Sequence, residues 1–190
     1  MAGNPAADSN KGKAGWALVL VSSALMAFLA YWESGGNQPI LTVYADRLAG
    51  GLPTVCDGLT RHITDVPMVV GQTWTLEQCH AETERAVRKV QKQLLQCFTR
   101  EPPQAVFDAA TSHAWNNGAG ATCGSVAMKR WNEGKWDEGC KRLQFGADGR
   151  PVWSYVRTGK LNANGTPQMR FVQGLANRRG GERSMCEAWR

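Results

Sequence analysis

Glu33 follows directly on an uncharged apolar span, Gly15–Trp32. Downstream lie Tyr44-Ala-Asp46 and a turn-rich stretch, Gly50–Thr60, that carries Thr54, Cys56 and Asp57. Two separated carboxylates with a hydroxyl nearby are the material of acid–base hydrolysis. One carboxyl donates a proton to a leaving oxygen, and the other holds a water or balances a developing cation. Taken singly these residues say little. A Glu behind an apolar helix is ordinarily a solvated boundary charge, an Asp in a turn is ordinarily a cap, and a lone Thr is a strand residue. The arrangement matters because the first carboxylate is attached to something that can enter a membrane.

That element has a polar, Gly/Ala/Asn-rich tail before it (residues 1–14, read as disordered), ending in Lys11-Gly-Lys13. The eighteen residues Gly15–Trp32 are at the short end for crossing a bilayer. Lysines before the span and Glu33 after it put the N-terminus in the cytoplasm and the remainder outside. Phe28-Leu-Ala30 and Leu25-Met-Ala27 make poor signal-peptidase sites, so the span is expected to stay as an anchor. It is also dilute. Ala17, Ser22, Ser23, Ala24, Ala27 and Ala30 weaken insertion, which suits either a small-residue packing face or an anchor able to leave the bilayer.

Beyond Glu33, Gly35, Gly36 and Pro39 end any helix, and Ile40–Ala45 and Pro53–Asp65 read as short strands between turns. Thr75-Leu-Glu-Gln78 is a capping box that opens a helix running to Cys97 and Phe98. Pro102-Pro103 stops it and starts the next helix, over Gln104–Trp115. Short helical patterns follow in Cys123–Gly134 and Trp136–Leu143. Asn164-Gly-Thr166 reads as a turn, and a basic helical tail runs from Met169 to Trp189. The expected fold class is α+β, mostly α. A small β-containing lobe, a long connecting helix and a larger helical lobe would form it, with ligand binding favoured in the crevice between lobes. The domain reading is 1–14 tail, 15–32 signal-anchor segment and 33–190 catalytic domain.

The net charge is +6, and the pI is about 9.2, which points to an anionic partner such as a wall polymer or lipid head groups. A nucleic-acid binder fits the charge alone and has no matching motif. Six cysteines, Cys56, Cys79, Cys97, Cys123, Cys140 and Cys186, all follow the apolar span. Their even number fits an oxidising compartment and up to three disulfides, of open connectivity; one candidate bridge is Cys123 to Cys140, tying a helical hairpin. No zinc spacing occurs, and neither a metal nor a cofactor is expected. Eight tryptophans are many for this length; Trp often lines sugar or base sites, and most of the eight are expected as core or lobe-packing residues.

In order along the chain stand Glu33, Tyr44-Ala-Asp46 with Thr54-Val-Cys-Asp-Gly58, Ala114-Trp-Asn-Asn-Gly118, Gly134-Lys-Trp136, and Gly174-Leu-Ala-Asn-Arg-Arg179 with Glu182. With these motifs the chain resembles the phage-type lysozymes, glycoside hydrolase family 24. With its apolar span it is similar to a signal-anchor-release endolysin of a phage of Gram-negative bacteria. The resemblance implies a lysozyme-like bilobal fold and inverting hydrolysis of the β-1,4 bond between N-acetylmuramic acid and N-acetylglucosamine in peptidoglycan. It implies a catalytic set of Glu33, Asp46 and Thr54, in which an apolar surrounding favours the protonated form of the acid. The intervals here, thirteen and eight residues, are longer than the family's, and Asp57 is the alternative second carboxylate. Arg178 matches a position that pairs with the catalytic Glu, while Trp115, Asn116 and Asn117 either line the sugar site or serve as core aromatic and helix cap. A monomer is implied, held in the host inner membrane through residues 15–32 and active in the periplasm after release, with a holin as functional link. No cysteine lies inside the anchor, so refolding of the anchor is the expected switch, with a redox contribution from Cys56 left open. Two rivals stand beside this reading: a lytic transglycosylase, which needs no second carboxylate, and a catalytically silent membrane-anchored peptidoglycan-binding protein.

Overall fold

The computed structural model describes residues 15–34, 38–46, 50–56 and 58–190. The tail with Lys11 and Lys13, and Asp57, lie outside the described residues. Two compact units emerge, Val19–Gln93 and the chain up to Leu18 together with Leu94–Arg190.

In the first unit the apolar span is not one long helix. Helix α1 covers Ser23–Ser34. Val21 has φ 58°, a left-handed conformation that a β-branched residue adopts only under constraint, and its N–H donates to Gln91 Oε1 at 3.1 Å. Ser22 then caps the helix, its Oγ accepting from Leu25 N at 3.1 Å. Leu25 and Leu29, four apart on one face, are buried. Among the described residues no helix is long and apolar enough to cross a membrane. A three-stranded antiparallel sheet follows: β1 (Ile40–Asp46), β2 (Leu52–Cys56) and β3 (Leu59–Thr60) in that order. Helix α2 (Leu76–Leu95) opens on the expected capping box, with Thr75 N donating to Gln78 Oε1 (2.8 Å) and Gln78 N to Thr75 Oγ1 (3.1 Å). The Cys56–Cys79 disulfide fastens β2 to α2.

The second unit is built on α3 (Gln104–Asn117), buried continuously from Val106 to Ala114. Around it come α4 (Ala119–Cys123), α5 (Val126–Asn132) and α6 (Trp136–Gln144), then the antiparallel pair β4 (Tyr155–Leu161) and β5 (Pro167–Phe171), and finally α7 (Gln173–Glu187). Phe98 stacks on Trp131 at 5.9 Å and meets Phe107 edge-on at 6.2 Å, which gives this unit an aromatic centre. Two sequence expectations are corrected here. Cys123 pairs with Cys97 and Cys140 with Cys186, so no Cys123–Cys140 bridge exists. Cys140 lies on the buried face of α6, where it meets α7, whereas Cys123 ends α4 and reaches the residues after α2. The segment Met169–Phe171 is strand rather than the start of the last helix. In fold class the protein is α+β, with helices predominating.

Candidate active site

Strand alternation builds the site. Tyr44 lies opposite Thr54 and Thr54 opposite Thr60, and cross-strand partners project to the same side of a sheet. Asp46 and Cys56, each two residues from one of these, share that side. The other face is apolar, with Val43, Val55 and Leu59 all buried. The first face opens on a cleft of about 530 Å³ lined by Glu33, Ser34, Gln38, Ile40, Tyr44, Asp46, Thr54, Cys56, Gly58 and Thr60. Glu33, Asp46 and Thr54 are thus brought to one cleft, within one unit. Asp57, the alternative carboxylate, lies outside the described residues.

Glu33 comes from the last turn of α1. A Cβ placed on Gly58 would lie 3.6 Å from Glu33 Oε2, so the carboxylate sits against the β2–β3 turn. Gly58 has φ +83°, which that turn requires and a side chain would oppose. Glu33 is exposed, so the expected shelter at the end of an apolar helix is not provided by the protein itself. Thr54 is buried and its Oγ1 donates to Leu52 O at 3.0 Å, which leaves the hydroxyl oxygen able to accept. Tyr44 was not singled out by sequence, although its two-residue spacing from Asp46 was the available signal. Burial, and then the charge of Asp46, push its phenol up, so the ring keeps its proton beside that carboxylate.

The Asn-Arg-Arg element behaves differently from a solvated helix face. In the second unit Arg178 and Arg179 are buried with Glu182. Glu182 Oε1 accepts from Arg179 Nη2 at 2.8 Å and from Ser112 Oγ at 2.9 Å, with Arg178 Nε at 3.5 Å. Arg179 Nη2 also donates to Asn116 Oδ1 at 3.1 Å, and Asn117 Nδ2 donates to His113 O at 3.1 Å as a helix-end cap. Trp115 is half-buried beside them in sequence. Burial pushes the Glu182 carboxyl up to about 7 against the pull of Arg179, and it pushes His113 down to about 3, helped by Arg179 and Arg178. The Ser112–Glu182 and Asn116–Arg179 hydrogen bonds tie α3 to α7. Among the described residues no group of three His, Cys, Asp or Glu could hold a metal ion.

The phage lysozyme family model matches residues 39–182, beginning just after Glu33. A SAR-endolysin of Pseudomonas phage phiKMV is 30% identical over 145 residues, covering 76% of this chain and 77% of the relative. Among solved structures, an endolysin from Escherichia coli O157:H7 phage FAHEc1 aligns with TM-score 0.68 at 24% identity, over 90% of this chain and 94% of the other. The muramidase domain of SpmX from Asticaccaulis excentricus aligns with TM-score 0.66 at 21% identity, over 89% and 97%. At these identities the two structures speak for the fold. The family match spans about three-quarters of the chain, and the chain belongs to the phage lysozyme family, the glycoside hydrolases that act as endolysins.

Proposed function

We propose that this lysozyme hydrolyses the β-1,4 bond between N-acetylmuramic acid and N-acetylglucosamine in peptidoglycan, with Glu33 as proton donor and Asp46 and Thr54 as the pair that orients the attacking water. The observation that carries this reading is the single cleft lined by Glu33, Asp46 and Thr54. Protonation of the leaving oxygen by Glu33 lets the C–O bond break as positive charge grows at the sugar carbon. Asp46 accepts a proton from the water, Thr54 fixes the water's position, and the new hydroxyl forms on the opposite face with inversion. A glycan in the cleft would exclude water from Glu33 and supply the shelter that the free protein lacks. Neither a cofactor nor a partner subunit is needed for these steps.

Residues 15–32 supply the control. Inserted in the host inner membrane, they would hold Glu33 at the lipid surface; released, their second half, from Ser23, folds into α1 and brings it to the sheet. What supports this is that Leu25 and Leu29, buried on α1, are residues the anchor would need in lipid, so the two states exclude each other. Two buried leucines contribute roughly 3–6 kcal/mol. A span diluted by alanine and serine gains little more from insertion, since each Leu or Val there is worth only about 0.3–0.6 kcal/mol. Collapse of the membrane potential by a holin is the proposed trigger, and the freed enzyme would act in the periplasm.

The test is turbidity loss of outer-membrane-permeabilised Gram-negative cells with released wild type, Glu33→Gln and Asp46→Asn. Wild type is expected to lyse the cells and both variants to fail. Retained lysis by Asp46→Asn would favour transglycosylase chemistry, which needs no second carboxylate, or Asp57 as the second carboxylate. Lytic activity of protein still embedded in membranes would rule out control by the anchor.

A further inference from the structure

The β4–β5 hairpin takes part in neither the cleft nor the buried ion cluster. From 155 to 171 every residue except Val156 is exposed. A two-stranded ribbon with both faces in water is marginally stable, so a surface that covers it would stabilise it. The hairpin presents large apolar side chains to solvent: Tyr155 and Phe171 at 41%, Met169 at 49% and Leu161 at 68%.

Their placement is ordered. Tyr155 pairs with Phe171 and Arg157 with Met169, so these four side chains stand on one face. The two rings meet edge-on with centroids 5.5 Å apart. Beyond a bulge come Lys160 and Leu161, next to a turn closed by Asn162 N donating to Thr166 O at 2.8 Å and Thr166 N to Asn164 Oδ1 at 3.1 Å. Residues 155–171 contain Arg157, Lys160 and Arg170 and no carboxylate. Aromatic rings, aliphatic side chains and cations without acids, on an exposed ribbon, match the boundary of an anionic bilayer. There, rings sit at headgroup depth, aliphatic groups enter the acyl region, and cations meet phosphates. A glycan strand would use the rings but has no use for Leu161 and Met169.

We propose that the 155–171 hairpin is a second membrane element, separate from residues 15–32, that seats on an anionic phospholipid surface through Tyr155, Leu161, Met169 and Phe171, with Arg157 beside the rings and Lys160 and Arg170, the latter opposite Val156 on the other face, reaching the phosphates around the ribbon. It keeps the released enzyme on the inner membrane surface and does not depend on which residues carry the hydrolysis.

The test measures co-sedimentation of the full chain with vesicles of phosphatidylethanolamine and phosphatidylglycerol, or of phosphatidylcholine alone. Wild type is compared with an Arg157→Glu/Lys160→Glu/Arg170→Glu variant and a Leu161→Asn/Met169→Asn variant. All three carry the same N-terminal segment, so differences report the hairpin. The charge-reversed variant should bind the anionic vesicles at least ~10-fold more weakly at about 0.1 M salt, and within about twofold of wild type on the zwitterionic ones. The Leu161/Met169 variant should lose binding to both. Melting curves, expected to match wild type for these exposed sites, verify folding. Unchanged binding of the charge-reversed variant to anionic vesicles overturns the proposal. So does a loss confined to lipid-free peptidoglycan sacculi, which would make the wall the partner.

Discussion

Lowering the pH from about 7.5 to about 5 should remove roughly 2 kcal/mol of stability from the wild type that a His113→Asn variant does not lose. His113 is fully buried on α3, with Nδ1 2.8 Å from Thr122 Oγ1 and its ring edge-on to Trp153 at 4.7 Å. Burial first, then the positive charges of Arg179 and Arg178, hold it down at about 3 from an ordinary 6.5. The folded ring therefore stays neutral at mildly acidic pH while the unfolded ring takes up a proton. The stabilisation is complete above 6.5 and is lost as pH falls towards 3. At pH 5 the unfolded chain gains about 1.5 pH units' worth of protonation free energy, near 2 kcal/mol. Glu182 runs the other way. Its carboxyl is raised to about 7 from 4.5, so its stabilising protonation is complete below 4.5 and fades as pH rises through 7. The wild-type pH curve alone would mix the two, and the difference between wild type and variant isolates the histidine. Urea unfolding followed by tryptophan fluorescence at three pH values, disulfides intact, gives both slopes. The baseline loss from Asn appears at every pH and cancels. Parallel slopes for the two proteins would refute a neutral buried His113.

Three further outcomes follow from packing. Gly139→Ala should destabilise by about 1–3 kcal/mol or more, since the new Cβ would lie 2.2 Å from Cδ1 of the fully buried Trp131; an unchanged melting midpoint would show that α5 and α6 can part. Replacing Cys140 and Cys186 together by Ser should cost about 4 kcal/mol, because the bridge spans 46 residues, and urea midpoints under oxidising conditions measure it. Leu29→Ala should cost about 2–5 kcal/mol in the released protein, read from its unfolding midpoint; if the released protein tolerates it, α1 is not docked as described.

What could be read from sequence was local. The Thr75–Gln78 capping box needs only four residues to declare itself, and both of its hydrogen bonds are present. Disulfide pairing depends on which helix faces meet, so Cys140 could not be matched to Cys186 across 46 residues from spacing. The β4–β5 hairpin escaped because its strands are short and exposed on both faces, and β4 mixes Tyr155, Val156 and Leu161 with Arg157, Thr158 and Lys160 without a clean alternation. The start of α1 was missed for the opposite reason. Gly15–Trp32 is uniformly apolar, and only the turn at Val21 and the cap at Ser22 show that the helix begins at Ser23. The Arg-Arg-x-x-Glu motif was visible, but its burial was not, since charged residues are rarely fully enclosed unless paired.

The long interval between Glu33 and Asp46 is the best sequence support for a catalytically silent relative, and strand register bears on how such an interval can be accommodated. The β1–β2 register shifts once between Ile40 and Tyr44, and from Tyr44 to Asp46 side chains alternate, so the face on which a residue there stands depends on parity rather than on the length of chain before it. Asp46 shares parity with Tyr44, which is registered against Thr54. The buried Val43 and Val55 hold the other face inward, and slipping β1 by one residue would expose Val43 and bury Tyr44 and Asp46. The turn beyond Asp46 is closed by Gly51 N donating to Asp46 O at 2.7 Å, which brings β2 back in the register that sets Thr54. Extra residues between Glu33 and Asp46 are therefore tolerated so long as the strand keeps its apolar face buried. Deleting Ala45, between Tyr44 and Asp46 in the regular part of β1, should be far more damaging to lysis than a one-residue deletion between α1 and β1. Equal tolerance of the two would mean that the alternation of this sheet does not set the site.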